Sequence, residues 1–393
     1  MDNKKSFAIG FAAGIVIVLV AVFGFNAFNR QGQWAGQQLD PNSKIMEIYG
    51  LLNDISIFPL DKDVMLENMY RGFLDGVGDP YTQYFDLEAL EAFHVRTEGE
   101  YVGIGVSVLE DLDSMTVTVA QPFRGSPAAA AGILPGDRII AVDGVDVVGR
   151  AISEVTGLIR GPEGTSVDIT FFRPYESERF DVTIIRTVIT IPTVFHEMMP
   201  NQIGYIRIEG FDQATRGQFT RAMDDLLSQN MTGLILDVRN NPGGILDIVA
   251  YIANYFVPEG VITYTVDARG RRQDFPADAN YLGIPLVLLV NGRSASASEL
   301  LGGAIQDTRV GILVGEQTFG KGIVQHVRYL SDGTAIKATV AQYFTPNGRS
   351  IHGVGVTPDL IVEMPESLSR MIGNMDIEED VQLQAALRVF NRD

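Results

Sequence analysis

The sequence predicts an α/β protein in which helices pack on a largely parallel sheet, with a β-rich module before that sheet and helical segments at both ends. Three patterns along the chain support this prediction. Apolar residues recur at helical spacing in residues 45–93, alternate with period two from about residue 98, and mark strands and helices in turn beyond residue 191. With 393 residues and 46% hydrophobic composition, the chain is long enough for two or three domains with their own cores.

An uncharged and almost wholly apolar run occupies residues 7–25 and follows Lys4 and Lys5. As a helix it would extend roughly 28 Å, about the thickness of the hydrocarbon core of a bilayer. The two lysines place its N-terminal end in the cytoplasm. We therefore expect residues 1–30 to be a cytoplasmic stub and a single transmembrane anchor, with the rest of the chain on the non-cytoplasmic side, periplasmic or extracellular. A cleaved signal peptide is the alternative, although the run is longer than the usual apolar segment of such peptides.

Residues 31–97 read as a polar linker followed by two or three short helices, an arrangement typical of a packing or dimerisation collar. Residues 98–187 then form the β-rich module. Alternating apolar residues predict its strands, including strands at residues 138–142 and 166–173, and a helix is expected at residues 151–160.

Two glycines stand before a strand in this module, in the segment Val102, Gly103, Ile104, Gly105 and Val106. Successive backbone N–H groups in such a segment can bind a carboxylate, and an extended peptide can add to the strand that follows. The last side chain of that peptide would lie between the strand and the module's helix. We therefore take these five residues as candidate substrate-binding residues. A plain β-rich domain with a glycine bulge is the alternative.

Residues 188–365 carry the alternating strands and helices, with strands at residues 203–208, 233–238 and 286–290 and helices between them. In sheets of this kind, ligands bind where the strands end. The strands expected near residues 311–314, 323–329 and 335–344 lack intervening helices, so we expect a mixed or antiparallel edge there. Residues 366–393 are predicted to be a helical tail, with a helix at residues 378–390.

Composition excludes several classes of function. A formal net charge of -19 and the lack of a basic cluster oppose nucleic acid binding. The absence of cysteine excludes thiol nucleophiles, disulfides and thiolate metal sites, and the four histidines have no recognisable ligand spacing. We expect no metal and no cofactor, so an enzyme of this composition would rely on Ser, Lys, Asp, Glu and backbone N–H groups.

Three serines, Ser294, Ser296 and Ser298, lie where a buried apolar strand turns into a helix. A serine at such a turn projects its hydroxyl away from the core, while free N–H groups of the following helix can stabilise an oxyanion. Helix capping is the more common use of serine there. Gly243 and Gly244 end another strand and could direct bare N–H groups at a reacting carbonyl, although an ordinary Asn-Pro-Gly turn is the alternative.

Lys321 lies in a segment that fits the first seven positions of a phosphate-binding loop, from Gly315 to Lys321. Gly322 stands where that loop needs a hydroxyl, and the next residues alternate like a strand, so no helix start is available for phosphates. Nucleotide binding is therefore disfavoured. A lysine can instead serve as the base of a serine nucleophile if burial lowers its pKa, because Ser–Lys pairs are a known variant of the catalytic triad. A solvated lysine in a glycine-rich loop is the alternative.

Together these segments closely resemble the carboxyl-terminal processing peptidases, the tail-specific serine proteases of peptidase family S41 in bacteria and plastids. The resemblance covers about residues 45–390, and its motifs occur in the family's order. The matching residues are 234–244, Ser294 to Glu299, Phe319 to Gly322 with Gln325, Tyr343 to Gly348 with Gly355, Pro358 and Asp359, Ser126 to Ala128 with Gly132, Ile133 and 136–139, and Asp79 to Tyr81.

The resemblance implies a crotonase-like or Clp-protease-like core that carries an inserted PDZ domain, and a serine endopeptidase that recognises substrate C-termini. It implies Ser296 as the nucleophile, Lys321 as the general base and Gln325 as the residue that orients the lysine. It implies an oxyanion hole formed by Ala297 with Gly243 or Gly244. The implied partners are proteins or peptides with accessible apolar C-termini and further copies of the chain as a homodimer or higher oligomer. A catalytically silent PDZ scaffold or chaperone is the rival interpretation.

Overall fold

The computed structural model describes residues 40–278, 281–373 and 375–390. The predicted anchor at residues 1–30 lies outside these ranges. Within them, no helix combines the length and the apolar character needed to cross a membrane. The chain separates into two compact units, one ending at Tyr70 and the other beginning at Arg71.

The described part of the first unit is helical. Helix α1 spans Pro41–Ile55, and helix α2, Lys62–Asp75, begins in this unit. Pro41 is well suited to the first position of a helix because its missing N–H has no helical acceptor there. Neither helix contains a buried residue. Apolar side chains such as Met46 and Leu51 are therefore exposed within this unit.

The second unit begins with the rest of the collar and continues into the β-rich module. Its first elements are β1 Gln83–Phe85, α3 Leu87–Glu98, β2 Glu100–Gly103, β3 Val106–Asp111, β4 Thr116–Pro122, α4 Pro127–Ala130, β5 Arg138–Val142, β6 Val145–Asp146, α5 Ile152–Ile159, β7 Ser166–Arg173, β8 Glu178–Ile185 and β9 Thr187–Thr190. The structure confirms the short helices predicted for the collar. In the module it confirms the helix predicted at residues 151–160 and the strands predicted at residues 138–142 and 166–173. The apolar residues from Val102 onward do not form one strand. Ile104 and Gly105 separate β2 from β3, and Gly105 has φ +80°.

Six antiparallel strands make up the sheet of this module. Five follow in the order β3-β4-β5-β7-β8, and β6 pairs with β5. Strands β2 and β9 pair with each other outside that sheet. A separate apolar core fills the module, with Ile104, Ile139, Val155 and Phe171 almost wholly buried. The module therefore has the core of an independent domain.

The rest of the second unit supplies the larger core. Its elements are β10 Val194–Met199, β11 Ile203–Ile208, α6 Gln213–Ser228, β12 Gly233–Asp237, α7 Leu246–Ala253, β13 Gly260–Asp267, β14 Arg272–Ala277, β15 Leu286–Val290, α8 Ala297–Thr308, β16 Ile312–Gly315, β17 Ile323–Tyr329, β18 Ala335–Phe344, β19 Leu360–Ile361, α9 Glu366–Ser369 and α10 Val381–Phe390. The main sheet has the order β10-β11-β12-β15-β16-β19, and every neighbouring pair except β10–β11 is parallel.

Both faces of the main sheet are covered. Leu234 and Leu236 of β12 pack in the cluster that includes the apolar faces of α6, α7 and α8. Ile235, between them in the sequence, packs in a second cluster with Leu383 and Ala386 of α10. Successive side chains of a strand point to opposite faces, so this sheet needs continuous apolar strands, as the sequence has.

The prediction that β16, β17 and β18 form a mixed or antiparallel edge of the main sheet is wrong. β16 joins the main sheet in parallel, whereas β17 and β18 leave it for a second, antiparallel sheet with the order β1-β18-β13-β14 and with β17 paired to β18. The β13–β14 hairpin supplies the partner that the sequence analysis did not foresee. The single antiparallel strand of the main sheet is β10, at the opposite edge.

Candidate active site

Ser296 stands between the end of β15 and the first residue of α8. Its backbone has φ +56° and ψ −114°, a conformation that is strained for any residue with a side chain. Ser294 and Ser298 are fully buried and serve the turn, because their hydroxyls donate to the carbonyls of Val238 (2.8 Å) and Asn241 (3.0 Å). Of the three serines, Ser296 alone is partly exposed.

Glu299 links the serine turn to the lysine loop. Its carboxylate is fully buried, and its Oε2 accepts hydrogen bonds from the backbone N–H of Ser296 (2.8 Å) and of Lys321 (2.7 Å). Its Oε1 accepts from the N–H of Gly320 (2.6 Å) and from the hydroxyl of Thr318 (2.6 Å). One oxygen atom therefore holds the main chain of Ser296 against that of Lys321.

Lys321 is partly buried, and burial favours its neutral form. Burial lowers the pKa of Lys321, and the carboxylates of Asp79 and Glu299 raise it in part. Its Nζ atom lies 4.7 Å from the centre of the Tyr81 ring. In the described part of the chain, no hydrogen bond joins this Nζ to the hydroxyl of Ser296.

Tyr343 contacts the main chain of Lys321. Its hydroxyl donates a hydrogen bond to the backbone carbonyl of Lys321. Burial raises the pKa of Tyr343 well above its usual value, so the phenol is neutral. The sequence contained Tyr343 only as part of a motif, and no pattern in it indicated this contact.

The two glycines of the β12 turn are brought against Ser296. A Cβ atom at Gly243, where φ is +101°, would lie 2.8 Å from Ser296 Cβ and 2.9 Å from the nitrogen of Ala297, so only glycine fits. Ala297 is the first residue of α8, and its N–H has no acceptor within the helix. The N–H of Gly243 does not face an empty site, since it donates to Asn241 Oδ1 (2.8 Å). A Cβ at Gly244 would lie 2.2 Å from the carbonyl oxygen of Phe211.

Gln325 is not placed on Lys321, in contrast to the expectation. Its side-chain nitrogen lies 3.4 Å from the carbonyl oxygen of Ile323, and among the described residues it makes no hydrogen bond to Lys321. The pairing of β17 with β18 shifts register between Val324 and Gln325. This irregularity re-aims the side chain, and alternation in the sequence does not reveal it.

A cavity of about 200 Å³ lies in the β-rich module between β3 and α5. Three of the five candidate substrate-binding residues line it, namely Gly103, Ile104 and Val106, together with Ile159 and Arg160 from the end of α5. Val102 instead pairs with β9, and Gly105 lies between β2 and β3 with φ +80°. This cavity, called the PDZ groove below, lies beside three of the five candidate residues, and Val102 lies outside its lining.

Comparison with known proteins identifies the family. Residues 202–362 match the model of peptidase family S41, and residues 118–173 match a PDZ domain. A carboxyl-terminal-processing protease of Synechocystis sp. is 38% identical over 316 residues, which cover 79% of this chain and 73% of that protein. The chain belongs to the carboxyl-terminal processing proteases. A carboxy-terminal-processing protease of Bartonella bacilliformis is 36% identical over 315 residues, which cover 78% of this chain and 71% of that protein.

A solved structure described as an S41 protease from Bacteroides fragilis shares the fold, with a TM-score of 0.51 and 18% identity over 82% of this chain and 90% of that one. This carboxyl-terminal processing protease is thus a serine peptidase with a PDZ domain and a mixed α/β core. Its substrates are proteins or peptides.

A turn in the collar of the protease reaches the candidate base, and the sequence analysis assigned it no role. Asp79 accepts hydrogen bonds from the N–H of Tyr81 (3.0 Å) and from the hydroxyls of Thr82 (2.7 Å) and Thr339 (2.6 Å). Burial alone would raise the pKa of Asp79, but these hydrogen bonds lower it below its usual value. Asp79 is therefore an anion that holds the ring of Tyr81 against Lys321.

Replacing Asp79 by asparagine is expected to shift the acid limb of the pH–activity profile to lower pH. The Asp79 carboxylate stabilises protonated Lys321, so its removal lowers the pKa of the lysine and leaves more of it neutral at a given acid pH. The measurement is kcat/KM against pH with a peptide substrate. Glu197→Gln, at an exposed position of β10, is the charge-matched control and should leave the limb in place. A shift to higher pH in Asp79→Asn would contradict this electrostatic role.

Proposed function

We propose that this protease cleaves peptide bonds through an acyl-enzyme on Ser296, with Lys321 as the general base. The observation that carries this proposal is the single Glu299 oxygen that binds the main-chain N–H of both residues. Lys321 takes the proton of Ser296 as its oxygen attacks the substrate carbonyl, and then protonates the amine that leaves. Water hydrolyses the resulting ester and restores Ser296.

The proposed reaction requires a change in the contacts of Ser296. No hydrogen bond joins its hydroxyl to Lys321 Nζ among the described residues, so the two side chains must approach each other for the proton to pass. The family resemblance supports Gln325 as the residue that orients Lys321, a role in which its side chain would leave the Ile323 carbonyl. The burial that lowers the pKa of Lys321 supports its role as a base.

The proposed oxyanion hole combines the N–H of Ala297 with one from the glycine turn. Gly243 lies closer to the nucleophile than Gly244 does, as the contacts of their absent Cβ atoms indicate. Its N–H would turn from Asn241 to the substrate oxyanion, because a charged acceptor binds an N–H more strongly than a neutral amide oxygen does. Gly244 is the alternative donor.

We propose that the PDZ groove binds the free C-termini of substrates that end in apolar residues. The apolar side chains of Ile104, Val106 and Ile159 in the cavity support an apolar last residue. The guanidinium of Arg160 at the same cavity supports an anionic end group.

For the whole chain we propose a crotonase-like or Clp-protease-like core at residues 188–365, an inserted PDZ domain at residues 98–187, and a helical tail at residues 366–393. The apolar run at residues 7–25 supports a membrane anchor in residues 1–30, with the protease on the non-cytoplasmic side. The exposed apolar residues of α1, within residues 31–97, support assembly as a homodimer or higher oligomer.

The decisive experiment incubates the full-length protein in detergent with an unfolded protein that ends in apolar residues, and maps the fragments by mass spectrometry. Wild type is expected to produce fragments, and Ser296→Ala none. Converting the substrate's last carboxylate to a carboxamide should slow cleavage. Equal proteolysis by wild type and Ser296→Ala would reject the nucleophile, and binding without any cleavage would favour the scaffold interpretation.

A further inference from the structure

The PDZ groove is formed in part by two residues that lie outside the PDZ domain. Besides β3 and α5, it is lined by Val95 of the collar helix α3 and by Ile191, which follows β9. Val95 precedes the predicted domain at residues 98–187, and Ile191 comes after it. Both residues are apolar and half-buried. The groove is therefore a composite of the domain and its two flanking segments.

Main-chain hydrogen bonds and an ion pair hold α3 against the groove. The N–H of Gly99, which caps α3 with φ +72°, donates to the carbonyl of Val95 (3.0 Å), and the N–H of Ile191 donates to the carbonyl of Gly99 (2.7 Å). Glu91 lies one turn before Val95 on the same face of the helix, and its Oε1 is 3.8 Å from Nη1 of Arg160 at the end of α5. This face of α3 is therefore directed toward α5 and the groove.

The segment before β3 determines where the last residue of a bound tail lies. The carbonyl of Ile104 accepts a hydrogen bond from the N–H of Ala128 (2.9 Å). The carbonyl of Gly105 accepts one from the N–H of Phe123 (2.9 Å). In a trans peptide the N–H points opposite to the preceding carbonyl, so the N–H groups of Gly105 and Val106 point away from these partners. They can receive a terminal carboxylate, and the side chain that enters the cavity beside them is then the last one of the tail.

We propose that Val95 forms part of the pocket for the last side chain of a substrate tail, and that its size determines which last residues the protease binds. This inference rests on the proposed function of the PDZ groove. Each carbon atom that a tail buries in an apolar pocket favours binding until the pocket is full. A larger residue at position 95 therefore selects for small last residues, and a smaller one selects for large last residues.

The test measures the affinity of fluorescein-labelled decapeptides that differ only in the last residue, which is Ala, Leu or Phe. Each is titrated by fluorescence anisotropy into full-length protein in detergent that carries Ser296→Ala, which prevents cleavage. Val95→Phe is expected to lower the preference for Leu over Ala about 10-fold, because the added ring takes the space of two or three carbon atoms. Val95→Ala is expected to raise the preference for Phe over Ala about 3- to 10-fold, because it removes two methyl groups. Either variant alone is sufficient, since each changes a preference in its own direction.

Val148→Phe is the matched control, because Val148 belongs to the PDZ domain and is 45% exposed. It should leave both preferences unchanged. The Leu peptide is also measured with its last carboxylate converted to a carboxamide. If the free acid binds better than the carboxamide but the Val95 variants leave both preferences unchanged or shift them in the opposite direction, the role of Val95 is refuted and the groove keeps its proposed function. If acid and amide bind equally, the groove does not read carboxylates, and the proposed recognition of C-termini fails together with this inference.

Discussion

Lys321→Met is expected to lower kcat about 10³- to 10⁴-fold while the protein remains folded. Methionine keeps an unbranched chain of similar length, so the packing against Tyr81 is largely preserved while the proton acceptor is lost. Steady-state kinetics with a fluorogenic peptide measures the rate, and thermal unfolding verifies the fold. The residual rate comes from the oxyanion donors and substrate binding, which the substitution leaves intact.

Lys337, in strand β18 of the antiparallel sheet, serves as the control for this substitution. Lys337 is half-buried, its pKa is also lowered by burial, and its Nζ donates to Gln83 (3.0 Å). Lys337→Met should leave kcat at alkaline pH within a few-fold of wild type. In the wild type, activity should fall as the pH drops, because Lys321 then gains the proton that prevents it from acting as a base. A flat profile from pH 5 to 9 would refute a lysine base.

The sequence predicted the main elements of the core because their signals are local. Buried strands of a covered parallel sheet are short apolar runs, and β11 and β15 of that sheet match their predicted bounds. In the antiparallel sheet, β17 and β18 also match theirs, because their residues alternate. The β13–β14 hairpin and β10 were not foreseen. Several of their residues are exposed and polar, so their pattern resembles that of loops.

Within the candidate site, the sequence could not distinguish the three serines by chemistry alone, and the family spacing was needed. The structural distinction comes from distant partners, since Ser294 and Ser298 bond to the main chain of the β12 turn. Asp79 reaches Lys321 because β1 pairs with β18, more than two hundred residues later in the chain. Pairings of this length leave no local pattern, so Asp79 and Tyr343 received no role before the structure was described.

Arg239→Met is expected to destabilise the fold by about 3–5 kcal/mol. Arg239 is fully buried between two carboxylates, with 2.6 Å to Asp237 and 2.7 Å to Asp380. Burial would lower the pKa of Arg239, but Asp237 and Asp380 raise it well above its usual value, so the guanidinium is charged. Removing it leaves two carboxylates without a counter-charge in the core, which is the costly way to break a buried ion pair. Urea unfolding measures the loss.

The cluster of Arg239, Asp237 and Asp380 also joins two distant segments of the core. Asp237 ends β12 and begins the turn to the oxyanion glycines, whereas Asp380 immediately precedes α10, so Arg239 fastens the C-terminal helix to that turn. Arg271→Met is the control, since its ion pair with Asp267 is equally short at 2.6 Å but its side chain is 72% exposed. That variant should change the free energy of unfolding by at most about 1 kcal/mol. Equal losses in both variants would show that burial of the charges is not what makes Arg239 necessary. Adding Asp237→Asn and Asp380→Asn to Arg239→Met should recover part of the loss, because the unpaired charges are then removed.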